Sequence, residues 1–463
     1  MPLSAFKAYD IRGKIPSELN PCSVAAIAEA FFHVLQPKKL VIGADARQHS
    51  LGFAQLIGKV MQEKGVIVHC LPLCGTEEVY FYTAQLKADL GIMVTASHNP
   101  IDYNGLKYVG KGAAPILKTE IMTEIRARTE AILAQKPKKT YPSMDSAIYR
   151  GSNTGFTILD KKSYIAKLLS FIDLEKLKPL KLVINSGNGA AGPVIDALEP
   201  LLPFKIIKVH NEPDASFPNG IPNPLLPERR KSTSYSVLQH KADLGIAFDG
   251  DFDRCFFFDS KGRFIEGYYL VGLIAKALLE TQKGESIVYD PRLTWATEEA
   301  IVEAGGKPII SRSGHSFIKQ KMREVNAVYG GEMSAHHYFK DFAYCDTGML
   351  PWLILTQYLC TKKETLENLV DDAINAYPCS GEINFKVQNP DNAIEAIVSH
   401  FTTGEKNITI ENLDGVSVQF ENWRFNIRKS NTEPLVRLNV EARRDKALVQ
   451  NKTQALSDYL KAM

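Results

Sequence analysis

A short internal repeat constrains the fold of this chain more than any other feature of its sequence. Residues 88–92 read Ala-Asp-Leu-Gly-Ile, and residues 242–246 repeat the same letters. A more diverged third copy spans residues 327–336. Five matching residues can arise by chance, so the segments before each copy must show whether the match is a true repeat. Each copy follows two apolar runs separated by helix-forming sequence, and this shared order indicates three related units.

The apolar runs before each copy have the length and composition of buried β-strands. The three units open with residues 40–45, 182–187 and 287–290. Their second runs are residues 66–71, 204–209 and 308–311. Because such runs alternate with helical segments, we expect βαβ units and largely parallel sheets. The polar loop after each copy then lies at the carboxyl end of a strand, where ligands gather in open α/β sheets.

The last part of the chain predicts a different architecture. Its polar and apolar residues alternate over residues 381–387, 416–420, 423–427 and 435–440, and a helix is expected over 446–463. This pattern is typical of a small antiparallel α+β domain. The expected fold is therefore three similar mixed α/β domains plus a C-terminal α+β domain, with domain ranges 1–148, 149–255, 256–375 and 376–463.

Composition excludes several classes of protein. The 463 residues carry a net charge of only +3 with scattered basic residues, which predicts no nucleic-acid and no membrane partner. No window reaches the roughly 18–20 uninterrupted apolar residues of a membrane helix, and residues 1–7 do not resemble a secretory signal. The seven cysteines follow no zinc-binding pattern and indicate reduced thiols. We expect a cytoplasmic protein.

Residues 95–100, here called the serine loop, contain a possible nucleophile. Ser97 stands among small and polar residues where the chain leaves a predicted strand, and Pro100 restrains the exit. The alternative is an ordinary turn in which Ser97 and Asn99 bond to the backbone. The adjacent residue, His98, is a possible base, although neighbouring side chains often point in different directions.

Residues 249–254, the aspartate loop, predict a metal site. Asp249, Asp251 and Asp253 alternate with other residues, and apolar segments flank the loop on both sides. Three carboxylates at the end of a buried strand repel one another unless a cation lies between them. Carboxylate oxygens are the ligands that Mg²⁺ and Ca²⁺ prefer, and the EF-hand pattern is missing. The alternative, a solvated acidic turn, fits the apolar flanks poorly.

Two further loops have the composition of ligand-binding segments. In the glutamate loop, residues 330–337, an acceptor, a hydroxyl and an imidazole alternate and suit a polyhydroxylated ligand: Glu332, Ser334 and His336. The alternative is that its histidines only cap local structure.

In the arginine loop, residues 428–434, a cation precedes three polar residues that suit a phosphate: Arg428, Ser430, Asn431 and Thr432. The alternative there is a surface turn. Together the four loops favour phosphoryl transfer to or from a sugar phosphate.

With these four loops in this order, the chain resembles the α-D-phosphohexomutase superfamily over essentially its whole length. The closest likeness is to the bacterial phosphomannomutase branch of GDP-mannose and surface-polysaccharide synthesis. The motifs that resemble this branch are residues 6–13, residues 75–78, Phe252 in the aspartate loop and residues 332–338. Glucosamine mutases usually carry glycine where this chain has Phe252.

The resemblance implies a fold and a set of site residues. It implies four domains arranged around a central cleft and a phosphoryl group carried by Ser97. Mg²⁺ would be held by a phosphoryl oxygen on Ser97 together with Asp249, Asp251 and Asp253. The other implied catalytic residues are Arg254 near the transferring group and Lys107 and His315 in proton transfer or substrate contact.

The resemblance also implies how the substrate is bound. Tyr9 and Arg12 match residues of the N-terminal part of the cleft. Sugar hydroxyls would be bound by Glu332, Ser334 and His336, and the distal phosphate by Arg428, Ser430, Asn431 and Thr432.

The implied reaction interconverts mannose 6-phosphate and mannose 1-phosphate through a hexose 1,6-bisphosphate, which also serves as activator. Other readings stay open at this point: a mutase for glucose phosphates or for both sugars, a phosphatase, a kinase, and a sugar-phosphate-binding protein without turnover. The oligomeric state is also left open.

Overall fold

The computed structural model describes residues 4–7, 10–116, 119–135, 155–429 and 435–463. They form two compact units. The first comprises Met1–Phe264 with Asp341–Thr361, and the second comprises Ile265–Lys340 with Lys362–Met463.

The first sheet lies in the first unit and is built around a parallel core. Its strands are β1 (Ile11–Lys14), β2 (Lys39–Ala44), β3 (Ile67–Leu71), β4 (Leu90–Val94), β5 (Tyr103–Gly110) and β6 (Thr157–Ile158). Its helices are α1 (Pro21–Leu35), α2 (Ser50–Gln62), α3 (Thr76–Gln85) and α4 (Thr119–Ala134). The strand order is β1-β5-β4-β2-β3-β6, with β2 parallel to both β3 and β4 and β5 antiparallel to β4.

The second sheet, also in the first unit, repeats this arrangement. Its elements are α5 (Lys162–Leu169), β7 (Lys181–Asn185), α6 (Gly192–Leu198), β8 (Lys205–Val209), α7 (Lys231–His240), β9 (Leu244–Phe248) and β10 (Cys255–Phe258). Strand β7 is parallel to β8 and β9, and β10 returns antiparallel to β9. A short strand, β11 (Phe264–Ile265), follows.

The first four strands of the third sheet lie in the second unit and repeat the same topology. Its elements are α8 (Gly267–Leu279), β12 (Ser286–Tyr289), α9 (Trp295–Glu303), β13 (Lys307–Ile310), α10 (His315–Val325), β14 (Tyr329–Gly331) and β15 (His337–Phe339). Strand β12 is parallel to β13 and β14, and β15 is antiparallel to β14. After it come β16 (Cys345–Asp346), α11 (Met349–Lys362) and α12 (Leu366–Ala376).

The three sheets confirm the sequence repeat. In each, the order of the shared strands is the same: β5-β4-β2-β3, β10-β9-β7-β8 and β15-β14-β12-β13. The serine, aspartate and glutamate loops therefore occupy equivalent places, since each connects the last parallel strand of its sheet to the antiparallel strand that follows. Three copies of one hairpin thus present three different sets of polar side chains.

The C-terminal part of the second unit is the predicted antiparallel α+β domain. Its elements are β17 (Cys379–Lys386), α13 (Pro390–Thr402), β18 (Thr409–Glu411), β19 (Val416–Gln419), β20 (Trp423–Lys429), β21 (Leu435–Ala442) and α14 (Lys446–Lys461). The sheet order is β17-β21-β20-β19-β18, and every pairing is antiparallel. Helix α13 and strand β18 were not predicted. The Asn389 cap and the proline at the first position of α13 are a sequence signal that could have found the helix.

The core of the first sheet explains why its strands read as continuous apolar runs. All five residues of β4 are buried, as are the last five of β2. Parallel strands covered by helices on both faces lose the alternation of polar and apolar residues. Phe31 of α1 and Phe53 of α2 belong to the same buried cluster as Ile42 and Ile92. Within the described ranges, no helix combines the length and the apolar character needed to cross a membrane.

Candidate active site

The serine loop holds Ser97 in an uncommon backbone conformation. Its φ of 49° lies in the left-handed region, and the residue is only 1% exposed. Its backbone N–H donates to the Thr95 hydroxyl at 2.8 Å. A non-glycine residue with positive φ persists only where neighbouring contacts hold it, and such residues cluster at functional sites.

Arg47 holds the serine loop in this conformation. Its guanidinium is buried and donates, over 2.5–3.0 Å, to four backbone carbonyl oxygens: those of Ser97, Asn99, Pro100 and Tyr103. Asp45 supports the same loop because its Oδ2 accepts a 2.6 Å hydrogen bond from the Thr95 hydroxyl. Sequence reasoning missed both Asp45 and Arg47, although they directly follow β2 at the sheet edge where the polar loops were expected.

The aspartate loop meets the Ser97 hydroxyl. Ser97 Oγ donates to Asp249 Oδ2 at 2.9 Å and accepts from Arg254 Nη2 at 3.1 Å. The Arg254 Nε also donates to Asp249 Oδ2, at 2.9 Å. The hydroxyl therefore has both an anionic acceptor and a cationic donor within hydrogen-bond distance.

His98 also points at Ser97, which the sequence left undecided. Its Nδ1 lies 3.0 Å from Ser97 Oγ and is contacted by the Arg254 guanidinium. Burial lowers the pKa of His98 well below its usual value, and the positive charges of Arg254 and Arg12 act in the same direction. Since arginine only donates, Nδ1 is an acceptor, and the imidazole is neutral.

Lys107 joins two of the aspartates. Its ammonium donates to Asp251 Oδ2 at 2.6 Å and also to Asp253 Oδ2. Burial by itself lowers the pKa of Lys107, but the two carboxylates outweigh it and raise the pKa above its usual value. With Arg254 and Asp249 included, three carboxylates face two cations, so these five groups carry one excess negative charge.

The three aspartates fit a divalent cation. All are buried, and ligand oxygens of Asp249, Asp251 and Asp253 lie within 4.8 Å of one another. Asp251 Oδ1 is buried without a hydrogen-bond partner in the described part of the chain. A buried anionic oxygen without a donor is costly, and hard divalent cations prefer such oxygens. Burial raises the pKa of Asp249. The positive charge of Arg254 lowers this pKa, whereas the negative charges of Asp253 and Asp251 raise it further.

Arg12, which the resemblance placed in the site, also contacts the serine loop. Its Nη1 donates to Asn99 Oδ1 at 2.5 Å, and its Nε donates to Asp10 at 2.7 Å. Tyr9, its expected neighbour in the site, lies outside the described residues.

In the second unit, the glutamate loop forms a compact polar cluster. Glu332 Oε1 accepts from the backbone N–H of Gly314 at 2.8 Å, and its Oε2 accepts from the Tyr338 hydroxyl at 2.5 Å. His336 Nδ1 lies 3.2 Å from Ser334 Oγ and 3.6 Å from Glu332 Oε2. The three predicted residues are therefore together, and the Gly314 bond places the start of α10, where His315 stands, beside them.

Arg428 lies in a cluster of arginines around one carboxylate. Its Nη2 donates to Glu382 Oε2 at 2.9 Å, and two further arginines approach the same carboxylate at 3.4 and 3.5 Å: Arg437 and Arg292. Burial raises the pKa of Glu382, but the arginines outweigh it and hold the pKa below its usual value. Ser430, Asn431 and Thr432 lie outside the described residues.

A role for Arg292 was also not predicted from the sequence. It is buried, and Asp290 accepts from its Nε at 2.9 Å and from its Nη2 at 2.8 Å. The same Nη2 lies 3.6 Å from Glu332 and 3.4 Å from Ser334. Arg292 follows β12 at its carboxyl end, as Arg47 follows β2, so the repeat itself offered a signal.

Comparison with known proteins decides the family. Models of the phosphoglucomutase/phosphomannomutase α/β/α domains I, II and III match residues 3–136, 162–262 and 266–377, and the model of the C-terminal domain matches residues 382–457. The chain belongs to the phosphoglucomutase/phosphomannomutase family. This membership confirms the resemblance inferred from the four loops and accounts for three similar sheets followed by a smaller domain.

Full-length relatives in this family are closely similar. A phosphomannomutase of Salmonella montevideo is 50% identical over 463 residues, covering 99% of each chain. A protein of Xanthomonas campestris pv. campestris named phosphohexose mutases is 50% identical over 461 residues, covering 100% of each chain. Among solved structures, a phosphoglucomutase/phosphomannomutase family protein from Burkholderia thailandensis aligns with a TM-score of 0.84 at 28% identity, covering 99% of this chain and 97% of that one.

A substitution at Arg47 tests whether this residue holds the serine loop. Arg47→Ala removes four hydrogen bonds from the serine loop, among them the buried one to the Ser97 carbonyl oxygen, so we expect the free energy of unfolding to fall by at least about 2 kcal/mol in urea denaturation. Arg128→Ala is the matched control, because Arg128 forms an exposed ion pair with Glu124 and its loss should change stability by less than about 1 kcal/mol. Equal effects of the two substitutions would contradict the assignment.

Proposed function

We propose that this chain is a phosphomannomutase that interconverts mannose 6-phosphate and mannose 1-phosphate through a phosphorylated Ser97 and a hexose 1,6-bisphosphate. One observation carries the proposal: the buried Ser97 hydroxyl forms hydrogen bonds with both Asp249 and Arg254. Next to this pair, Lys107 joins the other aspartates of the loop. The Salmonella montevideo phosphomannomutase, with 50% identity along nearly the whole chain, supports the same activity.

The residues around Ser97 suit phosphoryl transfer. When bound by Asp249, Asp251, Asp253 and an oxygen of the Ser97 phosphoryl group, Mg²⁺ would offset negative charge on that group. Arg254 donates to Ser97 Oγ and so can stabilise the charge that develops on this oxygen as the phosphoryl group leaves.

Each transfer exchanges one phosphorus–oxygen bond for another and moves one proton in the opposite direction. The bond between phosphorus and Ser97 Oγ breaks, and a bond between phosphorus and the free sugar hydroxyl forms. The proton of that hydroxyl passes to a base, and Ser97 Oγ takes up a proton. We assign these transfers to Lys107 and His315. The carboxylates of Asp251 and Asp253 keep Lys107 protonated, so its ammonium can donate hydrogen bonds to oxygens of the transferring group.

The second unit supplies groups of the right chemistry to bind the sugar phosphate. We propose that Glu332, Ser334 and His336 bind sugar hydroxyls, since their acceptor, hydroxyl and imidazole groups cluster within one short loop. We assign the non-reacting phosphate to Arg428 with Ser430, Asn431 and Thr432, and further cleft contacts to Tyr9 and Arg12. The bisphosphate must turn end over end between two transfers, and one arginine loop would then serve both orientations. Added hexose 1,6-bisphosphate would act as activator by restoring phosphorylated Ser97.

We further propose that the chain is divided into four domains near residues 148, 255 and 375. Residue 148 lies outside the described residues. The second sheet continues past β10 to its edge strand β11, which favours a second boundary near Ile265. The antiparallel sheet that begins with β17 at Cys379 supports the third.

A mutase for both mannose and glucose phosphates is the second candidate function. It is favoured by the Xanthomonas campestris relative, whose name covers hexoses in general at the same 50% identity. Values of kcat/KM for mannose 1-phosphate and glucose 1-phosphate, measured on one preparation with Mg²⁺ and hexose 1,6-bisphosphate, distinguish the two. Comparable values would establish dual specificity, and a large preference for mannose would support the first proposal.

Ser97→Ala tests the phosphoserine. Without the hydroxyl no phosphoryl group can be carried, so turnover should fall by about 10³-fold or more. Intact-mass spectrometry should show part of the wild-type protein heavier by one phosphoryl group and none of the variant. Ser170→Ala, on a surface turn, should keep both activity and the added mass. Full activity in the Ser97 variant would refute the mechanism.

Asp251→Asn tests the metal site. It replaces a charged ligand by a neutral one, so Mg²⁺ binding should weaken and kcat should fall by about 100-fold or more. Asp243→Asn alters the exposed aspartate of the second repeat copy and should leave both unchanged. Full activity of the wild type after EDTA treatment, with no Mg²⁺ bound in calorimetry, would show that the aspartates do not serve a metal.

Arg428→Ala tests the shared phosphate contact. Losing a charge-assisted hydrogen bond of about 1.5–3 kcal/mol should weaken binding of both monophosphates by similar factors of roughly 10- to 100-fold. Release of labelled bisphosphate should increase as well. Arg444→Ala, at an exposed site in the same domain, is the control. A loss in one reaction direction only, without added bisphosphate release, would contradict the assignment.

A further inference from the structure

Thr76, which the sequence placed only within a family motif, contacts the aspartate loop twice. It is the first residue of α3 and is fully buried. Its hydroxyl donates to Asp251 Oδ2 at 2.5 Å, and its backbone N–H donates to the Asp251 carbonyl oxygen at 3.1 Å. One residue thus holds both the backbone and the carboxylate of Asp251.

These contacts decide which Asp251 oxygen is free. Oδ2 accepts from Thr76 and, at 2.6 Å, from Lys107, whereas Oδ1 is buried with no hydrogen-bond partner in the described residues. Two donors on one oxygen set the rotation of a carboxylate about its Cβ–Cγ bond. The second oxygen is then presented in one direction, which a metal ligand requires.

The start of α3 is itself held firmly against the aspartate loop. A Cβ atom on Gly75 would overlap the ring of Phe252, so only glycine allows this approach. The Glu78 carboxylate accepts from the backbone N–H of Gly75 at 2.9 Å and closes the first turn of the helix. Thr76 therefore projects from a rigid support.

Glu77 ties the same helix end to a second segment that contacts the aspartate loop. Its buried carboxylate accepts from the backbone N–H groups of Gly348 at 2.5 Å and Met349 at 3.2 Å. Gly348 lies directly against the carbonyl oxygens of Phe252 and Arg254, where a Cβ atom would overlap the first of them. The start of α3 and the segment leading into α11 therefore both contact the loop.

We propose that Thr76 is a positioning residue that orients the Asp251 carboxylate for Mg²⁺, with Glu77 and Glu78 keeping its helix end in place. The inference rests on the proposed metal role of Asp251. Thr76 does not contact the reacting atoms in this assignment. It acts through Asp251, so its loss should lower metal affinity before it lowers the maximal rate.

The test compares three full-length variants. Thr76→Val removes the hydroxyl and keeps the shape, whereas Thr76→Ser keeps the hydroxyl. Thr83→Val is the matched control, because Thr83 is a buried threonine of the same helix whose hydroxyl donates to the Val79 carbonyl at 2.6 Å. Mg²⁺ affinity is measured by calorimetry on preparations with equal Ser97 phosphorylation by intact mass, and thermal unfolding is measured in EDTA.

We expect Thr76→Val to bind Mg²⁺ roughly 10- to 100-fold more weakly, as is usual when a group that orients a metal ligand is lost. The Mg²⁺ concentration for half-maximal activity should rise by a similar factor, and kcat should recover at saturating Mg²⁺. Thr76→Ser should stay within about threefold of the wild type because the hydroxyl remains. Thr83→Val should keep wild-type affinity.

Two outcomes would overturn the inference. Wild-type affinity in Thr76→Val would show that the hydroxyl does not orient Asp251. Equal losses in Thr76→Val and Thr83→Val, matched by equal losses of thermal stability, would show a general weakening of α3. A wild type that binds no Mg²⁺ would instead remove the metal role itself, so failure of the proposed function is distinguishable from failure of this inference.

Discussion

The ion cluster formed by Lys107 with Asp251 and Asp253 is the interaction on which the arrangement of the first unit depends. These side chains are buried, and carboxylates persist away from water only where cations and donors compensate them. Lys107 comes from β5 of the first sheet, and the aspartates come from the β9–β10 hairpin of the second. The charges therefore bring the serine loop and the aspartate loop to one place.

The repeated hairpin explains how one topology supports such different chemistry. The serine, aspartate and glutamate loops occupy the same position in three sheets of the same strand order. The sheet and helices supply a rigid frame, and only the residues at the tip differ. A site built in this way depends on which side chains the tips carry, so the fold alone does not determine the activity.

Much of the candidate site was predictable because its chemistry is concentrated in short contiguous loops. Asp249, Asp251 and Asp253 stand at alternate positions between apolar segments, so their mutual repulsion and their oxygen ligands pointed to a cation. Residues that act by holding these loops were not predictable in the same way. Arg47 bonds to carbonyl oxygens 50 or more residues away, and Thr76 bonds to Asp251 across 175 residues. Contacts over such separations leave no local pattern in the sequence, and what points to Arg47 is its equivalence to Arg292 in the repeat.

The sequence by itself determined the three related α/β units, the antiparallel last domain and the residue types of the four loops, because periodicity and local composition depend on neighbours along the chain. The tertiary structure decided what those residues do to one another. It turned His98 toward Ser97, set Lys107 between two carboxylates and left one oxygen of Asp251 free. Such outcomes follow from burial, since only removal from water makes the pairing of each charge and donor decisive.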